Sequence, residues 1–134
     1  KKNLVKSNVD TKRLVIMKVK NVVEILDAEI ITEGQDLSIE VNTACGSDLM
    51  SDVMAYADDK EILLTGLVNP QVIRTAEMMD IKVVIFVRAK RPGEYIINMA
   101  KEKGIILLTT KYHMFVACGK LFSEGITGGD ESIE

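Results

Sequence analysis

Glu61-Ile-Leu-Leu-Thr-Gly-Leu67 and Ile81-Lys-Val-Val-Ile-Phe-Val87 are two apolar runs of strand length, the second rich in β-branched residues. Neither alternates cleanly between apolar and polar. Strands covered by helices on both faces read as near-continuous apolar runs, so the pair is expected to lie side by side in a parallel sheet. Between them Asn69 precedes Pro70, a capping side chain before a residue whose fixed φ and missing N–H suit the first helical position. Val72, Ile73, Ala76 and Met79 then form an apolar stripe at helical spacing. The stretch is one β-α-β unit, and the loops after its two strands leave the sheet at the same end.

The pattern extends in both directions. Upstream, Ile39 to Ala44 alternates as a half-exposed or edge strand would, and Ser47 is placed to cap a helix whose stripe is Leu49, Met50, Val53, Met54 and Ala57. Asp48 and Asp52 suit the positive end of that helix. Downstream, residues 94 to 103 read as a helix ended by Gly104, and Ile105 to Thr109 as a fourth strand. Thr110 is placed to cap a last helix on which Met114, Phe115, Cys118, Leu121 and Phe122 share a face. Gly119 inside that helix points either to close approach of another backbone or to a passive choice. Val19 to Ala28 and Glu29 to Thr32 form a short helix and a small strand, a packing layer beside the main sheet. The expected fold is α/β: a four-stranded, mainly parallel sheet flanked by helices, with a small N-terminal helix-strand layer. Strand starts recur at roughly twenty-residue intervals, but each unit holds a full helix and no Asn or Leu ladder repeats, which rules against a solenoid.

The chain of 134 residues suits one domain able to bury a core without metal or disulfide support. Residues 1–16 read as a basic N-terminal extension, residues 17–126 as the folded domain and residues 127–134 as an acidic C-terminal tail. Met17 is an alternative start. With a formal net charge of -3 and no Trp, the chain has neither the basic surface nor the stacking platform of a nucleic-acid binder. No apolar segment is long enough to span a membrane or to act as a secretory signal, so the expected location is the cytoplasm, with Cys45 and Cys118 as reduced, buried small side chains.

In an open parallel sheet, ligands bind beyond the carboxyl ends of the strands. The loops expected there supply Gly46, Ser47 and Asp48; Thr65, Gly66 and Asn69; Arg88, Lys90 and Arg91; and Thr109, Thr110, Lys111 and Tyr112. Helix-start N–H groups and the guanidinium of Arg88 or Arg91 favour a phosphate or carboxylate. Catalytic templates are missing: the chain has no GxxxxGK[ST] loop, GxGxxG turn, HExxH or CxxC. His113 is the only histidine and has no ligand set around it, Asp48 and Asp52 are explained by capping, and neither metal nor cofactor is expected. A phosphoryl or acyl transferase using Thr65, Arg88 and Lys90 lacks a base, so the expected class is non-enzymatic.

Met17-Lys-Val-Lys-Asn-Val-Val-Glu-Ile-Leu-Asp-Ala-Glu-Ile-Ile31, Ser47-Asp-Leu-Met-Ser-Asp-Val-Met-Ala55 and Lys103-Gly-Ile-Ile-Leu-Leu-Thr-Thr-Lys-Tyr112 together resemble a DRTGG domain over about residues 17 to 126. Such domains occur as regulatory or dimer-forming modules beside phosphotransacetylase and CBS-containing pyrophosphatase domains, and are similar to the amino-terminal domain of HPr kinase. The resemblance implies an α/β module without the kinase active site. Where the family tends to carry Gly-Asp-Arg after the second strand this chain has Gly66-Leu67-Val68, and where it tends to carry Thr-Gly-Gly after the third it has Val87-Arg88-Ala89. A shared ligand site built on those residues is therefore altered here. The expected function is a self-associating regulatory module, a homodimer, sensing a small anionic metabolite or nucleotide. The alternatives are a protein-interaction adaptor without ligand, marked by an exposed apolar patch on the last helix, and, ranked below it, a phosphoryl- or acyl-transfer enzyme.

Overall fold

The computed structural model of the protein describes residues 16–129. The basic stretch 1–15 and the acidic end 130–134 lie outside the described residues. In chain order the elements are α1 (Val19–Ile25), β1 (Glu29–Ile30), β2 (Ala44–Gly46), α2 (Met50–Tyr56), β3 (Ile62–Thr65), α3 (Pro70–Met78), β4 (Val83–Phe86), α4 (Glu94–Glu102), β5 (Ile106–Thr109) and α5 (Met114–Ser123). Every residue of β3, β4 and β5 is buried, as their uninterrupted apolar runs require when both faces are covered.

The strands form one five-stranded sheet in the order β1-β5-β4-β3-β2. β2, β3, β4 and β5 run parallel, with Leu63 opposite Val84 and Val84 opposite Leu107, whereas β1 joins β5 antiparallel, Ile30 opposite Leu108. The small N-terminal strand is thus the fifth member of the main sheet rather than a separate layer. Thr32 completes the junction, its buried hydroxyl accepting from Leu107 N–H at 2.9 Å.

Alternate residues of each strand face opposite sides. Leu63, Val84, Phe86 and Leu107 pack with Met50, Val53, Val72, Ile73, Ala76, Ile96 and Ala100, so α2, α3 and α4 cover one face. Ile62, Leu64, Val83, Ile85, Ile106 and Leu108 pack with Val19, Val22, Leu26, Ala117 and Leu121, so α1 and α5 cover the other. Each β-α-β step moves one strand across the sheet, and only the last helix returns over the opposite face.

Three local expectations change. Residues 39–41 are not part of the edge strand: Ile39 and Leu37 carbonyls accept from Val19 and Lys20 N–H at 3.0 Å, and Val41 N–H donates to Met17 at 2.8 Å. The Leu37 and Ile39 carbonyls thus satisfy two otherwise orphaned N–H groups at the start of α1, and pairing with β3 begins only at Ala44. Ser47 is not the cap of α2. Its hydroxyl accepts from Leu49 N–H at 3.0 Å in a local turn, and Leu49 occupies the cap position. Thr110 does not cap α5, whose cap position is His113; the buried Thr110 hydroxyl donates instead to the Leu26 carbonyl at 2.8 Å, tying the β5 loop to α1. The Asn69 cap is as expected, its side chain accepting from Gln71 N–H at 2.9 Å with Pro70 in the first turn.

The stripe expected on α5 is rotated. Ala117 and Leu121 are its buried residues, while Phe115 and Phe122 are 88% and 67% exposed. Gly119 has open space beside it, since a Cβ there would meet nothing within 4 Å.

Candidate ligand-binding site

Because β2 to β5 are parallel, the loops after them gather on one rim of the sheet, and hydrogen bonds stitch those loops together. From the β2 loop, Asp48 Oδ1 accepts from Gly66 N–H at 2.6 Å and from the Thr65 hydroxyl at 3.1 Å. Thr65 is fully buried, and its oxygen also accepts from Leu67 N–H at 3.1 Å. Asp48 therefore fixes the β3 loop rather than serving its own helix. The β4 and β5 loops are joined backbone to backbone: Arg88 N–H donates to the Tyr112 carbonyl at 2.9 Å and Ala89 N–H to the Thr110 carbonyl at 2.8 Å. The Thr109 hydroxyl donates to the Lys90 carbonyl at 2.7 Å.

These bonds hold Arg88 and Ala89 at φ of 60° and 58°, the left-handed region that a residue with a Cβ enters at a cost. That cost is about 1–2 kcal/mol per residue. Glycine would take this conformation without that penalty. Ala89→Gly is expected to raise unfolding free energy by about 1 kcal/mol, read as a higher midpoint in urea with unchanged slope.

The thirteen sequence-derived candidates divide accordingly. Asp48, Thr65, Gly66 and Arg88 converge: a Cβ at Gly66 would lie 2.6 Å from Arg88 Nη2, so the guanidinium fills the space over that glycine. Lys90 lies exposed in the same loop. Arg91 turns away to pair with Glu29 at 2.7 Å. Thr109, Thr110 and Lys111 line, with Arg91, Asp27, Glu29 and Ala89, a small cleft of about 100 Å³ on the β5 side of the rim. Tyr112 presents its ring to Lys120, whose Nζ is 4.9 Å from the centroid. Asn69 is engaged in capping, Ser47 in its turn, and Gly46 faces α5, where a Cβ would stand 3.0 Å from both Cys118 Sγ and Met114 Sδ.

A second concavity was not foreseen. A groove of about 330 Å³ runs between the β2 edge and α5, lined by Cys45, Gly46, Phe115, Cys118, Phe122 and Ile126 among others. Its signal in the sequence is the pair Ala117 and Leu121, four residues apart, which competes with the Phe115–Phe122 stripe for the buried face. Both cysteines are partly rather than fully buried, and burial pushes the Cys118 thiol above its ordinary pKa. Cys118 is therefore protonated at neutral pH and a poor nucleophile.

No helix among the described residues is long and apolar enough to cross a membrane. No curated protein sequence matches the chain. Among solved structures, it is similar to the CBS and DRTGG domains of the regulatory region of Clostridium perfringens pyrophosphatase, determined with the activator diadenosine tetraphosphate. The TM-score is 0.64 at 16% identity, covering 82% of this chain and 48% of that one, so the likeness is one of fold and this chain spans about half the length of that region. The DRTGG domain family model matches residues 21–122, from α1 through nearly all of α5, and takes in the whole parallel sheet and its rim. With the order of elements and the family match in agreement, this chain belongs to the DRTGG domain family.

Proposed function

We propose that the protein is a non-catalytic regulatory module of the cytoplasm that self-associates and senses a small anionic metabolite or nucleotide at the rim. The folded unit takes in residues 17–126 and also Thr127, whose N–H donates to the Asn42 carbonyl at 3.1 Å and whose carbonyl accepts from Ala44 N–H at 2.9 Å, with 1–16 an extension and the residues after 127 a tail. The observation that carries the sensing reading is Arg88: an acidic chain holds an exposed guanidinium between the β3 and β4 loops, in a strained backbone, with no ion pair to neutralise it among the described residues. The diadenosine tetraphosphate bound by the Clostridium perfringens regulatory region makes nucleotides the first compounds to test. Ligand that binds only the native state should raise the melting temperature, by mass action, in a screen of nucleotides, acyl phosphates and phosphosugars. A silent screen would leave a scaffold.

Self-association rests on α5. Exposed Phe115, Val116 and Phe122 stand beside the groove that the same helix forms with the β2 edge. One face thus offers both projecting rings and a hollow to receive them, which is what a two-fold, self-complementary contact requires. Phe115→Glu with Phe122→Glu is expected to give monomer in sedimentation velocity where the unaltered protein gives dimer. A wild-type chain that stays monomeric at high concentration contradicts the dimer. The same exposed rings favour a second reading, an adaptor that binds another protein, and partner capture by a monomeric wild-type chain would select it.

A further inference from the structure

The loop after β4 carries Arg88, Lys90 and Arg91, and their surroundings differ. Arg91 is committed to Glu29. Arg88 has neither hydrogen bond nor ion pair from its guanidinium among the described residues, yet its place is closely defined. Its backbone is held left-handed by the Tyr112 carbonyl, its neighbour Ala89 likewise by Thr110, and the guanidinium lies where a side chain at residue 66 would be: Nη2, Nη1 and Cζ stand 2.6, 2.8 and 2.9 Å from the Cβ that Gly66 lacks. Gly66 is itself pinned by Asp48 through its N–H. An exposed arginine ordinarily samples many rotamers and pays their entropy on binding. Here the strained backbone and the bare glycine define its position in advance.

We propose that Arg88, seated on Gly66, is the anion contact of the rim and takes a phosphoryl group of a nucleotide or sugar phosphate through the paired N–H donors of its guanidinium. The inference rests on the sensing reading and assigns its anion contact. A planar fork matches two phosphoryl oxygens at once, which an ammonium does not reproduce. Gly66 acts as the floor: a methyl group there displaces only the far end of a flexible side chain, so it moves the fork while leaving the fold and the charge intact. Asp48 Oδ1 already accepts from two donors, the Gly66 N–H and the Thr65 hydroxyl, which blunts its repulsion of the incoming anion.

The test is binding of AMP, ATP, ribose 5-phosphate and inorganic pyrophosphate to the full chain, followed by titration calorimetry and melting temperature. The wild type is expected to bind at least one probe, nucleotide and sugar arms separating the two sources of the phosphoryl group. Arg88→Lys and Gly66→Ala should each weaken that probe about tenfold or more, with unliganded melting temperatures close to wild type. Arg91→Ala, which removes an already paired cation, should change affinity by no more than about twofold. Undiminished binding by both Arg88→Lys and Gly66→Ala overturns the assignment of Arg88 while the sensing reading stands. Absence of binding by the wild type to every probe overturns both.

Discussion

Phe86→Ala is expected to lower the free energy of unfolding by about 3–5 kcal/mol, the range for removing a large aromatic side chain from a close-packed interior. Phe86 is fully buried, the last residue of β4, and packs among the side chains beneath α3 and α4. Its truncation leaves a hole under the segment that turns at Val87 into the left-handed pair Arg88 and Ala89. Loss of stability and loss of rim order should therefore appear together. Urea unfolding measures the first; faster amide exchange at Arg88 and Ala89, whose N–H groups donate to Tyr112 and Thr110, measures the second. A destabilisation below about 1 kcal/mol would mean that β4 is not closely packed on the face under α3 and α4.

Leu121→Ala should cost about 2–5 kcal/mol, by the same loss of buried methylenes and the cavity left behind. The effect is concentrated in one helix. Ala117 and Leu121 are the buried residues of α5, and an alanine offers little area, so Leu121 anchors the helix to the sheet beside Leu64 and to α1. Amides of α5 should exchange by local opening well before those of β3 to β5, and the proposed self-association should weaken with them because the exposed rings of Phe115 and Phe122 ride on the same helix. Unchanged protection of α5 would place its anchor elsewhere.

How far the sequence could be read follows from which signals were local. The β3-α3-β4 unit was legible because burial on both faces writes itself as unbroken apolar runs, and because Asn69-Pro70 is a cap whose partner, Gln71, is two residues away. The rim followed from parallel pairing. The fifth strand was read as a strand but not placed in the sheet, since two residues, Glu29 and Ile30, carry no pairing information of their own. Asp48 and Thr110 have side chains that suit caps, but tertiary partners take them, Asp48 reaching Gly66 and Thr110 reaching Leu26 across the fold, while Ser47 closes a local turn on Leu49. On α5 apolar residues occur on more than one side, so periodicity alone does not choose between Ala117–Leu121 and Phe115–Phe122. The left-handed Arg88 and Ala89 carry no local signal at all, because glycine, the residue that announces such a conformation, is missing from both positions.

The gathered loops of the parallel sheet, rather than the apolar groove, are proposed to receive the anionic ligand. An amide-resolved NMR titration with AMP or ATP tests this most directly. Shifts are expected to be confined to the loops at 46–48, 65–69, 88–91 and 109–112, largest at Gly66 and Arg88. Shifts confined to Phe115, Cys118, Phe122 and Ile126, or no shifts at saturating nucleotide, would contradict it.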